Sequence, residues 1–373
     1  MAQPPNQTQN HGGDRRQTPG RGSSLRIANR FESIHVEDDF EQLEESDQFA
    51  ESSRKVKTEY LVDHSSSVVN ENQSPDVDFT FSLNPYRGCA HGCSYCYARP
   101  THEYLGYNAG IDFESKIIVK PDAPKLFEKW INRPQWRSRV EPIMLSGVTD
   151  CYQPCENKFE ITRSCLRVAL DARQPMRVIT KNVLIERDLD LLTEMARQNL
   201  VCVTFSLASL DQSLIRVMEP RSSSPAARLK TIGRLAEAGV PVKVLVAPII
   251  PALNDDEVPE ILKQVAEAGA KIAGYVVLRL PLAVKPVFLD WVERHFPDRK
   301  EKILGRVESL GNGKTYDSSF GNRMKGQGIW AQQIKCLFVT CCNKYGLNRD
   351  LPPLDCDAFR GSASESGRQL DLF

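Results

Sequence analysis

The chain has 373 residues, with 48 basic and 48 acidic side chains, 41% hydrophobic content and 11 cysteines. That length suits one large domain with tails or two small ones, and the cancelled charge gives no global argument for a nucleic-acid or membrane partner. No run of 18 apolar residues occurs, so no membrane-spanning helix is expected.

The first residues carry an Arg15-Arg16 pair with no apolar stretch behind it, so neither a secretory nor a twin-arginine signal is expected. The cysteines are therefore assigned to a reducing cytoplasm, where clustered thiols bind metal or do redox work more often than they form disulfides. Residues 1–75 are polar and without sustained periodicity, which predicts a disordered arm. Its start is basic (Arg15, Arg16, Arg21, Arg26) and its stretch 37–51 is acidic.

From Phe79 onward, short apolar runs alternate with helical periodicity. Strands are predicted at 79–83, 143–147, 177–181, 201–206, 243–248 and 275–279, all rich in aliphatic and β-branched residues and read as covered on both faces. Between them, Thr162 is expected to cap a helix bearing Leu166 and Leu170. Asp188 starts one with Leu189, Leu192 and Ala196 inward. Ser224-Pro225 opens a third, with Leu229, Ile232 and Ala236 on one face and a stop at Gly239. A fourth follows Asn254-Asp255, sets Val258, Ile261, Leu262 and Val265 inward, and ends at Gly269. Repeated βα units make a parallel α/β sheet, and six units fall short of the eight that close a full barrel. After Pro281 the pattern weakens, leaving helices at 284–295 and 328–345. The expected organisation is an arm (1–75), the α/β unit (76–282), a C-terminal helical cap (283–360) and a disordered tail (361–373).

The first strand runs into Asn84-Pro-Tyr-Arg-Gly-Cys89-Ala-His-Gly-Cys93-Ser-Tyr95-Cys96-Tyr-Ala-Arg99, a C-x3-C-x2-C run with glycine before the first two cysteines. Three thiolates so close in sequence converge only if the backbone wraps tightly, and Gly88 and Gly92 supply the φ freedom for that. Three cysteines are one short of the four that fill an ordinary iron–sulfur cluster or structural zinc site. One alternative is zinc, with His91 or a distant cysteine as fourth ligand. The other is a [4Fe–4S] cluster with one open iron.

With Tyr95 in the aromatic slot, this run resembles the signature of the radical S-adenosylmethionine (SAM) superfamily. The resemblance implies an open, partial (β/α)6 TIM-like barrel with its site at the C-terminal ends of the strands. It also implies a [4Fe–4S] cluster on Cys89, Cys93 and Cys96, and SAM bound at the open iron. A reductant such as flavodoxin or ferredoxin is implied as partner, and the product is a 5′-deoxyadenosyl radical that abstracts hydrogen from a substrate. The candidates for SAM binding are Tyr95, Ser146, Thr149 and Asp150 in the place of the family's Gly-Gly-Glu-like segment, Lys181 for the carboxylate, and Ser206. The other reading of Asp150 is a loop cap leading to Cys151 and Cys155. Arg221 is a further candidate carboxylate clamp, and Pro248, Ile249, Leu278 and Arg279 are candidate adenine walls.

Within the superfamily, the Thr149-Asp150 turn, Thr180-Lys181, Glu219-Pro220 and Val246-Ala-Pro248 look like the spore photoproduct lyase branch, over roughly residues 26–360. That branch implies nucleic acid as the substrate class, with Arg87, Arg99 and Lys116 lining the approach. It places a hydrogen-donating cysteine where this chain has Val148; Cys151 is the substitute, its alternative being an ordinary loop cysteine. Cys336, Cys341, Cys342 and Cys356 form a second concentration, either an auxiliary metal site or buried free thiols on an apolar helix. The competing function is a non-catalytic iron–sulfur or zinc protein that senses or binds nucleic acid.

Overall fold

The computed structural model describes residues 20–31 and 56–362. In chain order the strands are β1 (Glu59–Val62), β2 (Val69–Glu71), β3 (Phe81–Leu83), β4 (Tyr86–Arg87), β5 (Lys116–Val119), β6 (Ile143–Leu145), β7 (Met176–Thr180), β8 (Val201–Ser206), β9 (Val242–Ile249) and β10 (Ile272–Val277). The helices used below are α1 (Ala123–Ile131), α2 (Ile161–Ala172), α3 (Leu189–Arg197), α4 (Gln212–Met218), α5 (Pro225–Glu237), α6 (Val258–Glu267), α7 (Val284–His295), α8 (Lys300–Leu310) and α9 (Gly328–Tyr345).

The main sheet has the order β10-β9-β8-β7-β6-β3-β2. Its six strands from β3 to β10 pair in parallel, and β2 adds an antiparallel edge. Each of the six predicted strands is present: 201–206 has the expected bounds, 243–248 is extended by one residue at each end, and the other four are trimmed or shifted by a few residues. Val242, Val244 and Val246 of β9 are buried while Lys243, Leu245 and Ala247 between them are half-buried, so one face is sealed by helices and the other is less enclosed. The six parallel strands form the partial TIM-like barrel, and the cysteine loop follows β3 at its C-terminal end.

Helix ends follow side-chain chemistry. Ser224 Oγ accepts from Ala227 N at 3.3 Å, and Pro225 occupies the first turn of α5. All four expected inward residues of α6 are buried. Two readings are corrected. Thr162 lies inside α2 rather than at its cap, because its hydroxyl donates to the Cys151 carbonyl at 2.7 Å. The inward face of α5 is rotated to Arg228, Thr231, Ile232 and Leu235, because Arg228 turns in to meet a buried glutamate.

The described parts of the expected arm do not behave as a free tail. Residues 20–31 dock on the cysteine loop, β1 pairs with β5 in a second sheet of order β1-β5-β4, and β2 joins the main sheet. The backbone amides of this polar stretch find partners in the domain: Gly22 N and Ser23 N both donate to the Glu114 carboxylate. Residues 1–19, with Arg15 and Arg16, and 32–55, with the whole acidic run, lie outside the described residues, as does the tail from 363.

Both expected C-terminal helices are present, and α8 stands between them. Its sequence hides it: only Ile303, Val307 and Leu310 are buried, and a poor helix former, Gly305, stands at its middle. Ala331, Ile334 and Phe338 of α9 share one hydrophobic core with β7–β10, whereas α7 and α8 pack with α4 around Trp291 in a second cluster. Among the described residues no helix is long and apolar enough to cross a membrane.

Candidate functional site

β3 leads through β4 into the cysteine loop, so the loop is anchored on both sheets. Gly88 (φ 74°) and Gly92 (φ 69°) take the left-handed backbone that the wrap requires. At Gly88 there is no room for a side chain: a Cβ would stand 2.9 Å from both His102 Cε1 and the Phe113 carbonyl oxygen. Gln153 pins the first turn, accepting from Ala90 N at 2.9 Å and donating to Gly88 O at 3.1 Å. Arg99, fully buried, donates from Nε and Nη2 to Cys93 O at 3.1 and 2.8 Å.

Cys89 and Cys93 are buried and Cys96 is half-buried; none is in a disulfide. The three thiols sense one another. Burial pushes Cys89 up to about 12, with Asp150 and Cys96 adding to the rise. Burial, the Glu219 carboxylate and the neighbouring thiols Cys96 and Cys89 hold Cys93 up as well, against the Lys181 ammonium. Burial raises Cys96, offset by Arg99 and by a hydrogen bond from the Ala98 backbone. Three desolvated sulfurs beside two cations, with backbone hydrogen bonds from Asp150 and His91 to Cys89, form a donor set suited to an iron–sulfur cluster.

His91 does not offer a fourth ligand. Its Nδ1 lies 3.4 Å from Asp150 Oδ2 and its Nε2 3.2 Å from Asn182 Nδ2. Asn182 Oδ1 already accepts from Leu184 N and Ser223 Oγ, so Nδ2 is the donor and His91 Nε2 accepts. That leaves the Nδ1 proton for Asp150, and burial keeps the ring neutral by lowering its pKa.

The expected SAM residues fall into two groups. Asp150 is a brace. Its Oδ1 accepts from Thr180 Oγ1 (2.8 Å) and Tyr152 N (2.9 Å), and its Oδ2 accepts from Lys181 N (2.8 Å). Ser146, at φ 81°, accepts from Cys151 N at 2.5 Å, and Thr149 Oγ1 donates to Tyr86 O at 3.3 Å. These three side chains hold the turn after β6 against β7 and the cysteine loop.

The second group converges on Glu219, which sequence reasoning quoted in Glu219-Pro220 but gave no role. Its carboxylate accepts from the Tyr95 hydroxyl, from Arg228 and from Ser222 Oγ (3.1 Å). Burial would raise its pKa, but Arg228 and Lys181, with the Tyr95 hydroxyl, hold it at about 2. Burial opposes the charge on Lys181, and Glu219 and Cys93 more than restore it. Lys181 Nζ stands 5.9 Å over the Tyr95 ring. Arg228 also donates to Ser206 O (2.9 Å), so the end of β8 joins this group, while Ser206 Oγ reaches Ala247 O at 3.4 Å. An arginine one helical turn before Ile232 was the available signal for Arg228.

Several expected positions are corrected. Cys151 is fully buried in the main core, its carbonyl bonded to Thr162, so its thiol is not placed to hand a hydrogen atom to a substrate. Arg221 donates to Gly20 O (3.0 Å) and Thr58 Oγ1 (3.2 Å). Arg99 is interior and does not line an approach, while Arg87 pairs with Asp63 and Lys116 with Asp112. Ile249 and Leu278 are buried, and Arg279 lies over the half-exposed Tyr97 ring at 5.3 Å, donating to Met324 Sδ at 3.1 Å. Tyr97 itself donates to Gly147 O at 2.6 Å. The C-terminal cysteines scatter: Cys336 is exposed, Cys341 and Cys342 are buried and Cys356 is half-buried. Among the described residues, no three His, Cys, Asp or Glu are grouped as ligands of a single metal ion.

Comparison with known proteins gives concordant results. An uncharacterised protein of Mycobacterium tuberculosis is 36% identical over 224 residues, 60% of this chain and 65% of the relative. An uncharacterised protein of Methanocaldococcus jannaschii is 27% identical over 239 residues, 64% of this chain and 84% of the relative. The chain thus spans 65% of the length of the mycobacterial relative it matches. Among solved structures, spore photoproduct lyase complexed with dinucleoside spore photoproduct aligns with a TM-score of 0.55 at 17% identity, covering 77% of this chain and 79% of that one. A mutant of that lyase with bound SAM and the dinucleoside photoproduct gives 0.53 at 19%, covering 77% and 78%. At these identities the likeness is one of fold. The family model of the radical SAM superfamily, whose cofactors are a [4Fe–4S] cluster and SAM, matches residues 83–265, from the end of β3 into α6, and this stretch is a radical SAM domain.

Proposed function

We propose that this chain is a radical SAM enzyme in which Cys89, Cys93 and Cys96 hold the cluster and the Tyr95–Lys181–Glu219 group binds SAM beside it. The observation that carries this reading is that three thiols on one loop, two buried and one half-buried, stand next to a lysine whose charge a buried glutamate sustains. When bound, the cluster and SAM supply a one-electron route to a 5′-deoxyadenosyl radical that abstracts hydrogen.

The chain's own residues bind and orient. Lys181 is the cation for the SAM carboxylate, and Glu219 keeps it protonated. Arg228 fixes Glu219, and the Tyr95 hydroxyl donates to the same carboxylate. Ser206, buried at the end of β8 and tied to Arg228 through its carbonyl, is the candidate for the ribose or carboxylate. Asp150, Thr149 and Ser146 act by bracing the turn, with Asp150 Oδ2 facing His91 of the cysteine loop. The electron comes from a small reductant such as flavodoxin or ferredoxin. For the substrate we favour nucleic acid, on the fold shared with a lyase solved with a dinucleoside photoproduct. Because Cys151 is interior, the final hydrogen donor is SAM-derived or supplied by another group.

The test is EPR of the anaerobically reconstituted, dithionite-reduced protein with and without SAM, with 5′-deoxyadenosine measured by chromatography. A [4Fe–4S]+ signal that changes on adding SAM, with nucleoside released and both lost in Cys93→Ala, is expected. A protein that binds iron or zinc but is indifferent to SAM overturns the reading in favour of a non-catalytic metal protein.

A further inference from the structure

Residues 20–31 close the cysteine loop from behind. Gly22 approaches so near that a Cβ there would come within 1.6 Å of the Gly92 carbonyl oxygen, and a Cβ on Gly110 would stand 2.0 Å from the Leu25 carbonyl oxygen. Ile111 N donates to Leu25 O at 3.1 Å, and Asn29 Nδ2 to Glu103 O at 2.9 Å. At the other end Arg221, whose own N–H donates to His91 O, holds Gly20 O. The segment therefore crosses the loop between its first two cysteines and is fastened on both sides.

Its centre is Glu114, which has no exposed surface. Oε2 accepts from Gly22 N at 3.0 Å, and Oε1 accepts from Ser23 N at 2.8 Å and from Arg99 Nη2. The Glu114 main-chain carbonyl accepts from Arg21 Nη1 at 2.5 Å. A buried carboxylate–guanidinium pair is tolerated only when its remaining hydrogen-bonding capacity is met, and here two amides of the N-terminal segment meet it. Arg99 then forks from Glu114 onto the Cys93 carbonyl. Three bonded steps, through Glu114 and Arg99, thus join the segment to a cysteine of the loop.

We propose that residues 20–31 are a working part of the cluster cradle: acting through Glu114 and Arg99, they position the Cys93 arm of the loop and seal it from solvent. Gly22, Glu114 and Arg99 are positioning residues, and the inference rests on the proposed role of the three cysteines as cluster ligands. Removing the segment's amides leaves Glu114 short of donors and frees Arg99 from its geometry, so Cys93 loses its register relative to Cys89 and Cys96.

The experiment uses the full chain as wild type, Gly22→Ala and Glu114→Gln. In the metal-free protein, iodoacetamide labelling followed by mass spectrometry reads each cysteine separately. Cys93 is expected to label several-fold faster in both variants while Cys341 and Cys342 keep their wild-type rates. In reconstituted protein, the cluster's visible absorbance should bleach several-fold faster in air, and the g values of the reduced cluster should shift. Wild-type-like labelling, bleaching and g values in both variants overturn the inference. Faster labelling that includes Cys341 and Cys342 also overturns it, because the segment then supports the whole fold and not the Cys93 arm. A wild type that takes up no iron refutes the cluster reading itself, an outcome separate from either.

Discussion

Two stretches of this chain concentrate cysteine, 89–96 and 336–356, and the fold treats them in opposite ways. The first is a loop whose thiols are gathered, desolvated and set among cations and backbone donors. The second begins on α9, where successive residues are about 100° apart around the axis, so Cys336, Cys341 and Cys342 face different directions. Cys341 and Cys342 join Ile334 and Phe338 in the core, and Cys336 faces solvent. Cysteine density in sequence says little about metal. What separates the two regions is backbone freedom at Gly88 and Gly92, together with the polar groups that surround the thiols.

The sharpest way to break this contrast is to count iron. Cys93→Ala, like Cys89→Ala or Cys96→Ala, is expected to abolish [4Fe–4S] uptake, whereas the double variant Cys341→Ala/Cys342→Ala should keep wild-type iron and acid-labile sulfide per chain. Iron retained in Cys93→Ala, or lost in the double variant, reverses the assignment.

Next in size is the ion pair beneath the first region. Arg228 and Glu219 are both fully buried, and Arg228 has further partners in Ser223 O (2.9 Å) and Ser206 O. Arg228→Met leaves Glu219 charged and short of its main partner, which costs about 3–5 kcal/mol by the usual penalty for breaking a buried pair. Denaturant unfolding of the metal-free protein reads this directly. The exposed pair Arg139–Glu141 offers the control, where Arg139→Met should leave stability close to that of the wild type.

Acid should also affect the two regions unequally. Burial holds His102, beneath Gly88, at about 4, below its ordinary 6.5, and Arg228 with Lys181 outweighs burial to hold Glu219 at about 2, below its ordinary 4.5. Both groups take up protons more readily in the unfolded chain. Their stabilisation is therefore complete above about pH 6.5 and is lost as pH falls, first through the His102 window of 6.5 to 4, then through the Glu219 window of 4.5 to 2. Hydrogen exchange at pH 7 and pH 4.5 should show protection falling around residues 84–115 while α9 holds its own. Uniform loss across both regions contradicts the reasoning.

The parts of this architecture that were legible in the sequence are those governed by local pattern. The six core strands are short aliphatic runs, and α5 and α6 begin with caps or proline and end near Gly239 and Gly269, which take positive φ. The second sheet was not legible, because β1 and β5 pair across more than fifty residues and β1 is largely exposed. The proposed cluster ligands stand out in the sequence because their spacing is itself the signal. Their supports were not: Glu114, Gln153 and Arg228 act through contacts that only the tertiary fold creates. Cys151 shows the same limit, since adjacency to Asp150 in sequence does not reveal that its side chain turns into the core.

The smallest expected effect bears on the second cysteine region alone. Cys341→Ala removes one sulfur from a packed site, so its cost should resemble that of deleting a single buried group, about 1 kcal/mol. Cys341→Ser should cost more, because it places a hydroxyl where Ile334 and Phe338 share the core. A thiol that only fills space predicts that order, alanine milder than serine, with the cluster's EPR spectrum unchanged in both. A thiol that bonds metal predicts a different pattern, in which both substitutions remove a signal and serine, which retains a ligating oxygen, is the milder of the two.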